Sequence, residues 1–365
     1  TKVAAAIREK GGTSDPLVYP DGFVTAIQAI QIGTELQIIV SVKSGATVTA
    51  MKGSKVVSGT SVNNSCTLIV PEAGTWSVKA THNGQTSDTK SVTFTDNYAL
   101  SLSFVSAVLN DNDWATIKKI SDKGEGANYW SIGDRKAVTL NGTVGHLTLS
   151  NYTTYAFIIG FNHNSSLEGS NRIHFQLAKT ALSGGKDVAL CDSSYISYLT
   201  TTGYFSMNSS AANSGGWASS QMRTNICGTS LSSYSGTIIA VIPAALRAAI
   251  KSVTKYTDNT GVGSTAASAV TATTDYFFLL SEYEVFGSIS YANSNEASKQ
   301  AQYAYYSAGN SAIKYKHDGT STAAKWWLRS QTASYSYRFT DVFPSGTVGM
   351  GNADFSLGFA PGFCV

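Results

Sequence analysis

From about Gly33 to Phe94 apolar residues recur at every second position, and this period of two constrains the fold more than any other feature of the chain. Leu36, Ile38 and Val40 alternate with Gln37, Ile39 and Ser41. Val48 and Ala50, Val56-Val57, then Cys66, Leu68 and Val70 continue as short runs divided by Gly, Ser and Asn. A strand turns successive side chains to opposite faces, so each run can bury one face of a sheet. Pro71-Glu72-Ala73-Gly74-Thr75-Trp76-Ser77-Val78-Lys79-Ala80, with Val92 and Phe94, adds the last of these runs.

About seven strands in some sixty residues suit a small immunoglobulin-like sandwich, expected over 33–98. Only Cys66 lies inside it, so the inter-sheet disulfide of many such domains is absent. The region looks like a bacterial or phage spacer module. Before it, residues 1–32 read as two short helices around a Gly/Pro turn: Val3 and Ile7 lie four apart, and Asp21 can cap a stripe of Phe23, Ile27 and Ile30. A hairpin that small needs a neighbouring domain or a sister chain to cover it.

Residues 99–365 form the third expected region, a mixed α+β domain with long irregular connections. The spacing predicts a helix from Asp113 through Ile120 and another over 243–250, with Pro243 at its first turn. It predicts strands at 129–134, 155–161 and 237–242, and a buried strand from Tyr276 running into a short turn or helix that ends at Gly287. A last apolar strand begins at Trp326-Trp327-Leu328 and leads to an aromatic, Gly-rich close.

Of the 365 residues 42% are hydrophobic but only 13% are charged, about half the roughly 25% usual in soluble domains. Ser, Thr, Gly, Tyr and Asn supply a neutral polar surface instead. A net charge of +3 with no basic cluster argues against nucleic acid. No apolar run reaches the roughly 20 residues of a membrane span, and the first residues lack a secretory apolar centre. Cys66, Cys191, Cys227 and Cys364 are scattered, so they read as small core hydrophobes rather than a zinc site or disulfide framework.

Four ordered segments carry a resemblance: Gly215-Gly216-Trp217-Ala218-Ser219-Ser220-Gln221-Met222-Arg223, Phe278-Leu279-Leu280-Ser281-Glu282-Tyr283-Glu284-Val285-Phe286-Gly287, Trp326-Trp327-Leu328-Arg329-Ser330 and Gly358-Phe359-Ala360-Pro361-Gly362-Phe363. They resemble the C-type-lectin-fold variable proteins of diversity-generating retroelements in gut phages and prophages, which include receptor-binding tail proteins of the major tropism determinant type. The opening Ala6-Ile7-Arg8-Glu9-Lys10-Gly11-Gly12-Thr13-Ser14 and Tyr19-Pro20-Asp21-Gly22-Phe23 are similar to a segment of phage structural proteins. The resemblance implies an α+β architecture: a helical attachment segment, an all-β spacer and a C-type-lectin-like domain at 99–365. It implies a virion protein made in the bacterial cytoplasm, attached to other tail proteins through its first segment and trimeric by analogy. Its partner would be a host cell-surface protein or glycan, with no cofactor, metal or catalysis. Family members commonly end in Gly-Val-Arg-Pro; here Phe359 and Ala360 replace the Val and Arg, so a salt bridge from that Arg has no counterpart.

Residues 332–355 have the composition of a paratope, in which rigid aromatics supply contact area and small polar residues adapt their hydrogen bonds. Pro344-Ser345-Gly346 marks a hairpin turn, and alternation directs Val342 and Val348 inward and Asp341, Phe343, Thr347 and Gly349 outward. The expected ligand-binding set is Ser334, Tyr335, Ser336, Tyr337, Arg338, Asp341, Phe343, Thr347, Met350, Asn352, Asp354 and Phe355. The resemblance adds that such positions tend to be diversified through adenine-rich codons. Trp326 and Trp327 read as core, and Arg329 as a buried Arg paired with Glu282 or Glu284.

Two other function classes compete. A hydrolase acting on host surface glycan could use Glu282 and Glu284, which on a strand would lie roughly 6–7 Å apart, within the range for glycoside hydrolysis. A bacterial surface adhesin would differ in origin rather than chemistry. His163 and His174 flank Glu168 and Asn171, an imaginable metal loop without recognised ligand spacing. Asn110-Asp111-Asn112-Asp113 lacks the Gly and Glu of a calcium loop and reads as a domain junction and helix cap. No phosphate loop or nucleophile elbow is present.

Overall fold

The computed structural model describes residues 35–195 and 203–365; the helical segment expected over 1–32 lies outside them. The architecture is mixed α+β, mostly sheet with few and short helices. The chain divides into two units between Val105 and Ser106. This is later than the junction expected at 98/99, because Tyr98–Ser101 is itself a strand of the first unit and Leu102 is buried in its core.

In the first unit β1 (Leu36–Ser41) pairs antiparallel with β4 (Ser65–Val70) and parallel with β8 (Tyr98–Ser101). The second sheet runs β3 (Lys55–Thr60), β2 (Thr47–Lys52), β5 (Gly74–His82) and β6 (Gln85–Thr86), and β7 (Lys90–Phe94) also pairs with β5. Register sets buried residues opposite one another: Val40 faces Cys66, Ala50 faces Val78, and Trp76 faces Val92. Both sheets turn these faces into one core around Trp76, whose indole N–H donates to the Glu72 carbonyl.

The second unit begins with helix α1 (Trp114–Asp122). The Asp113 carboxylate caps it by accepting from the Thr116 amide at 2.7 Å, and Trp114, Ile117 and Ile120 form its buried stripe. Strands β9 (Arg135–Val144), β10 (Leu147–Phe161) and β11 (Ile173–Lys179) follow, then β12 (Val188–Ala189). After helix α2 (Ala244–Ala249) come β13 (Val253–Asp258), β14 (Val270–Asp275), β15 (Phe277–Phe278) and helix α3 (Glu282–Phe286). The closing strands are β16 (Lys314–Lys316), β17 (Gly319–Ala324), β18 (Trp326–Gln331), β19 (Arg338–Val342), β20 (Val348–Asn352) and β21 (Gly362–Cys364).

The main sheet is antiparallel, in the order β15-β21-β11-β10-β9. Strand β21 therefore sits inside it, and Val365 continues the ladder through reciprocal 3.0 Å bonds with Ile173. Phe359, Ala360 and Phe363 are fully buried, so backbone pairing and apolar packing hold the segment that lacks the Arg. Two strand expectations fail. Residues 129–134 form the end of a helical turn and a tight turn before β9 begins, and Ile238–Val241 is one helical turn. A short apolar run buried on all sides has no period by which strand and helix can be told apart.

Candidate binding face

Strands β18, β19 and β20 form a separate antiparallel sheet that carries Arg338, Asp341, Met350 and Asn352, and the other expected binding residues lie in the loops beside it. Every residue of β18 is buried, including Trp326 and Trp327. Strand β19 is the middle strand, paired along both edges, and Phe339–Val342 are buried on both faces as well, so only Arg338 at its start is partly open. Edge strand β20 alternates, in the sense opposite to that expected: Val348, Met350 and Asn352 look outward, while Gly349 and Gly351 lie against the layer beneath. A Cβ on Gly349 would meet Asp341 Oδ1 at 2.6 Å, and one on Gly351 would meet the Trp327 ring at 2.9 Å. Glycine is what lets β20 approach so closely.

Asp341 is therefore not an exposed ligand contact. It is fully buried beneath β20, with its Oδ2 2.7 Å from the Lys325 ammonium, which also lies 4.5 Å from the Phe343 ring centroid. Burial pushes the carboxyl up to about 7 even beside that cation. The alternation rule misplaced it because Val342 and Asp341 are both enclosed: the rule assigns faces but cannot say that a strand has no open face.

The other eleven residues keep some access to solvent. Ser334, Tyr335, Ser336 and Thr347 are exposed; Tyr337, Arg338, Phe343, Met350, Asn352, Asp354 and Phe355 are half-buried. The Tyr335 and Tyr337 rings meet edge-on at 5.6 Å, and the Arg338 guanidinium lies over both, 4.6 and 5.1 Å from their centroids. Arg338 Nε also donates to Asn352 Oδ1 at 3.3 Å, directly across the β19–β20 register. From below, Asn213 Nδ2 donates to the carbonyls of Tyr335 and Arg338 at 2.7 and 2.9 Å. The two tyrosines thus stand on a backbone fixed by buried groups.

Behind β18 lies the most highly charged part of the interior. Arg329 grips Glu284 with both terminal nitrogens and donates from Nε to Thr257 Oγ1 at 2.8 Å. Glu284 also completes a capping box with Ser281 at the start of α3. Of the two partners expected for Arg329, Glu284 is the one. Burial acts to raise the Glu284 carboxyl, but Arg329 and Lys255 overcome it and hold it well below the usual carboxylate range. Fully buried Lys255 donates to Glu284 Oε1 (2.8 Å), Glu168 Oε2 (2.6 Å) and the Tyr303 hydroxyl (2.8 Å).

The proposed acid/base pair fares differently from the strand expectation. Glu282 and Glu284 begin a helix, both fully buried, and Glu282 accepts from the backbone amides of Ser290, Tyr291 and Ala292. Both carboxylates serve as anchors in the interior. His163, Glu168 and His174 of the imagined metal loop are buried, whereas Asn171 is exposed. His163 stacks on Tyr303, His174 Nδ1 lies 3.1 Å from the Tyr303 hydroxyl, and Asn171 donates to the Asp122 carbonyl. Ligand atoms of His163, Glu168 and Glu284 come within 4.8 Å of one another, as a metal site would require. The Lys255 ammonium already bonds both carboxylates, so this cluster supplies its own cation.

Glu296, another buried carboxyl near Arg329, is raised to about 7 by burial, although it accepts bonds from the Asp258 amide, Ser330 and Gln300. The folded chain therefore holds this proton up to about pH 7, whereas an unfolded Glu releases it near 4.3. Its stabilising contribution is complete below that lower value and is lost as pH rises through 7. The stability difference between the wild type and Glu296→Gln should shift against the wild type between pH 5 and 8, measured by urea unfolding of both proteins. A constant difference would contradict the raised pKa.

Sequence reasoning missed a cleft beside the face. Asp354 lines it together with Tyr204, Ser206, Asn208, Gln221 and Asn225. The signal was present as the alternation Tyr204-Phe205-Ser206-Met207-Asn208, hidden in a Ser- and Asn-rich stretch. No curated protein matches the chain. Residues 186–365, which contain both the face and most of the cleft, match the model of a family described as a domain of unknown function, DUF6273.

Proposed function

We propose that the chain is a receptor-binding or host-adhesion protein of a phage, and that edge strand β20, with Arg338 and the 334–337 loop, docks on a host-surface protein or glycan. In this reading the first unit is an immunoglobulin-like spacer, the second is a C-type-lectin-like domain, and residues 1–32 attach it to the virion. The observation that carries it is the paired Tyr335 and Tyr337 over Arg338, set among Ser, Thr and Asn and braced from below. With Asp341 neutralised inside by Lys325, the only charges after Arg329 left near the surface are Arg338 and Asp354. A face so poor in charge avoids the cost of burying unpaired ions when a partner docks. Aromatic anchors with small polar neighbours suit recognition that changes by substitution, as retroelement diversification would require.

Tyr335→Ala combined with Tyr337→Ala should weaken retention on host-envelope preparations by about a hundredfold or more, as for loss of two hot-spot aromatics. The circular-dichroism spectrum should not change. Undiminished retention by the folded double variant would place the contact elsewhere. The retroelement part is tested separately by the gene's neighbourhood, where a reverse transcriptase and a near-copy of the segment are expected.

A further inference from the structure

The cleft beside Asp354 encloses about 590 Å³, within the ~300–1,000 Å³ of small-molecule sites. Its first wall is a run of turns and bends in which Phe205 and Met207 are wholly buried and Ser206 nearly so, while Tyr204 and Asn208 are more open. Buried Asp192 fixes the start of that run: its Oδ2 accepts from the amides of Tyr204 and Phe205 at 2.8 and 2.9 Å, and its Oδ1 from Ser356 Oγ at 2.7 Å. The Asn208 amide donates to the Ala353 carbonyl at 2.8 Å, tying the run's far end to the segment that carries Asp354. Gln221 and Asn225, four residues apart and exposed, form the second wall, and the β9–β10 turn forms the third through Gly145, which donates to the Gly236 carbonyl at 2.8 Å. The cleft is thus assembled before any ligand arrives, which lowers the ordering cost of binding.

Its chemistry narrows the ligand. Among the described residues lining it there is no Lys or Arg, which disfavours phosphates, and one carboxylate with one imidazole, Asp354 and His146, is a poor cation site. The exposed amides of Gln221 and Asn225 can each donate and accept, and Ser206 adds a hydroxyl. Asp354 Oδ1 is enclosed and has no hydrogen-bond partner among the described residues, so a turn of this half-buried side chain toward the cleft would bring the atom to a donor. Tyr204 lies ring to ring with His146 and is still 49% exposed, an apolar surface at the mouth. Vicinal hydroxyls on a ring with an apolar C–H face meet all of these demands at once.

We propose that this cleft binds a neutral saccharide, with Tyr204 covering a sugar face and Asp354, Gln221 and Asn225 bonding its hydroxyls. It is a second site, distinct from the Tyr335/Tyr337 contact, and stands whether or not that contact recognises a host. The test is an array of neutral gluco-, galacto-, manno- and N-acetylhexosamine oligosaccharides probed with the full chain, followed by calorimetry on any ligand found. At least one neutral oligosaccharide should bind, with affinity lowered about tenfold or more in Tyr204→Ala and in the near-isosteric Asp354→Asn. The Tyr335→Ala/Tyr337→Ala protein should bind the same sugar unchanged, which separates this site from the proposed host contact. Absence of neutral-sugar binding, binding of acidic sugars alone, or binding that both cleft variants retain would each overturn the assignment.

Discussion

Arg329→Met should lower the unfolding free energy of the second unit by about 3–5 kcal/mol, because it leaves the Glu284 carboxylate buried with only part of its charge answered. Arg329 supplies two of the bonds to Glu284 and is itself fully enclosed, so water cannot replace it without opening the interior. Lys255 remains, but it is shared with Glu168. Removing both partners, as Arg329→Met with Glu284→Leu, should cost much less than the sum of the single changes, since an apolar pair of similar volume avoids the desolvation penalty. Urea unfolding of the two single variants and the double variant completes the cycle. A single-variant loss under about 1 kcal/mol would mean that the ion cluster does not hold the unit together.

The second large effect lies in the first unit. Trp76→Ala should cost about 3–5 kcal/mol, the usual range for deleting a fully buried large aromatic. Trp76 lies between the two sheets, opposite Val92 on β7, and belongs to the cluster formed by Ile38, Val48, Leu68 and Phe94. A sheet core built from roughly seventy described residues has little stability to spare, so the variant is expected to be largely unfolded at 37 °C. Trp76→Phe keeps most of the apolar volume but leaves the Glu72 carbonyl without its indole donor, and should lose less than half as much. Equal losses for the two would shift the weight from cavity to hydrogen bond. Thermal unfolding followed by circular dichroism on the isolated variants reads both.

The period-two region was legible because its core strands β1, β2, β4, β5 and β7 have one open and one closed face, so Ile38, Val40, Leu68 and Val78 announce themselves by spacing. Helix α1 was legible for a similar reason, with Asp113 capping and Trp114, Ile117 and Ile120 on one side. Legibility fails where an element is closed on both sides. Residues 237–242 gave no period to read, and in β19 enclosure turned Asp341 from an expected surface group into an interior one. Arg329 was recognised as buried from its apolar neighbours, but only the structure separates Glu284 from Glu282. Lys255, Glu168 and Tyr303 come from distant parts of the chain, and no local pattern joins them. The cleft was hidden for the same reason, since its walls meet only through long-range bonds such as that from Asn208 to Ala353.

Strand β21 has a consequence for how the second unit comes into being. Its Cys364 pairs with His174, 190 positions earlier, and Ser121 reaches Val365, 244 positions later. Strand β15 joins the main sheet only through β21, so that sheet cannot close while the ribosome is still making residues 362–364. Until then β11 has an open edge, a template for pairing with another nascent chain. Such distant pairing makes for slow folding, with a window in which the unfinished unit is prone to aggregate. The yield of soluble protein should therefore depend on synthesis rate and temperature more than on the stability of the finished fold.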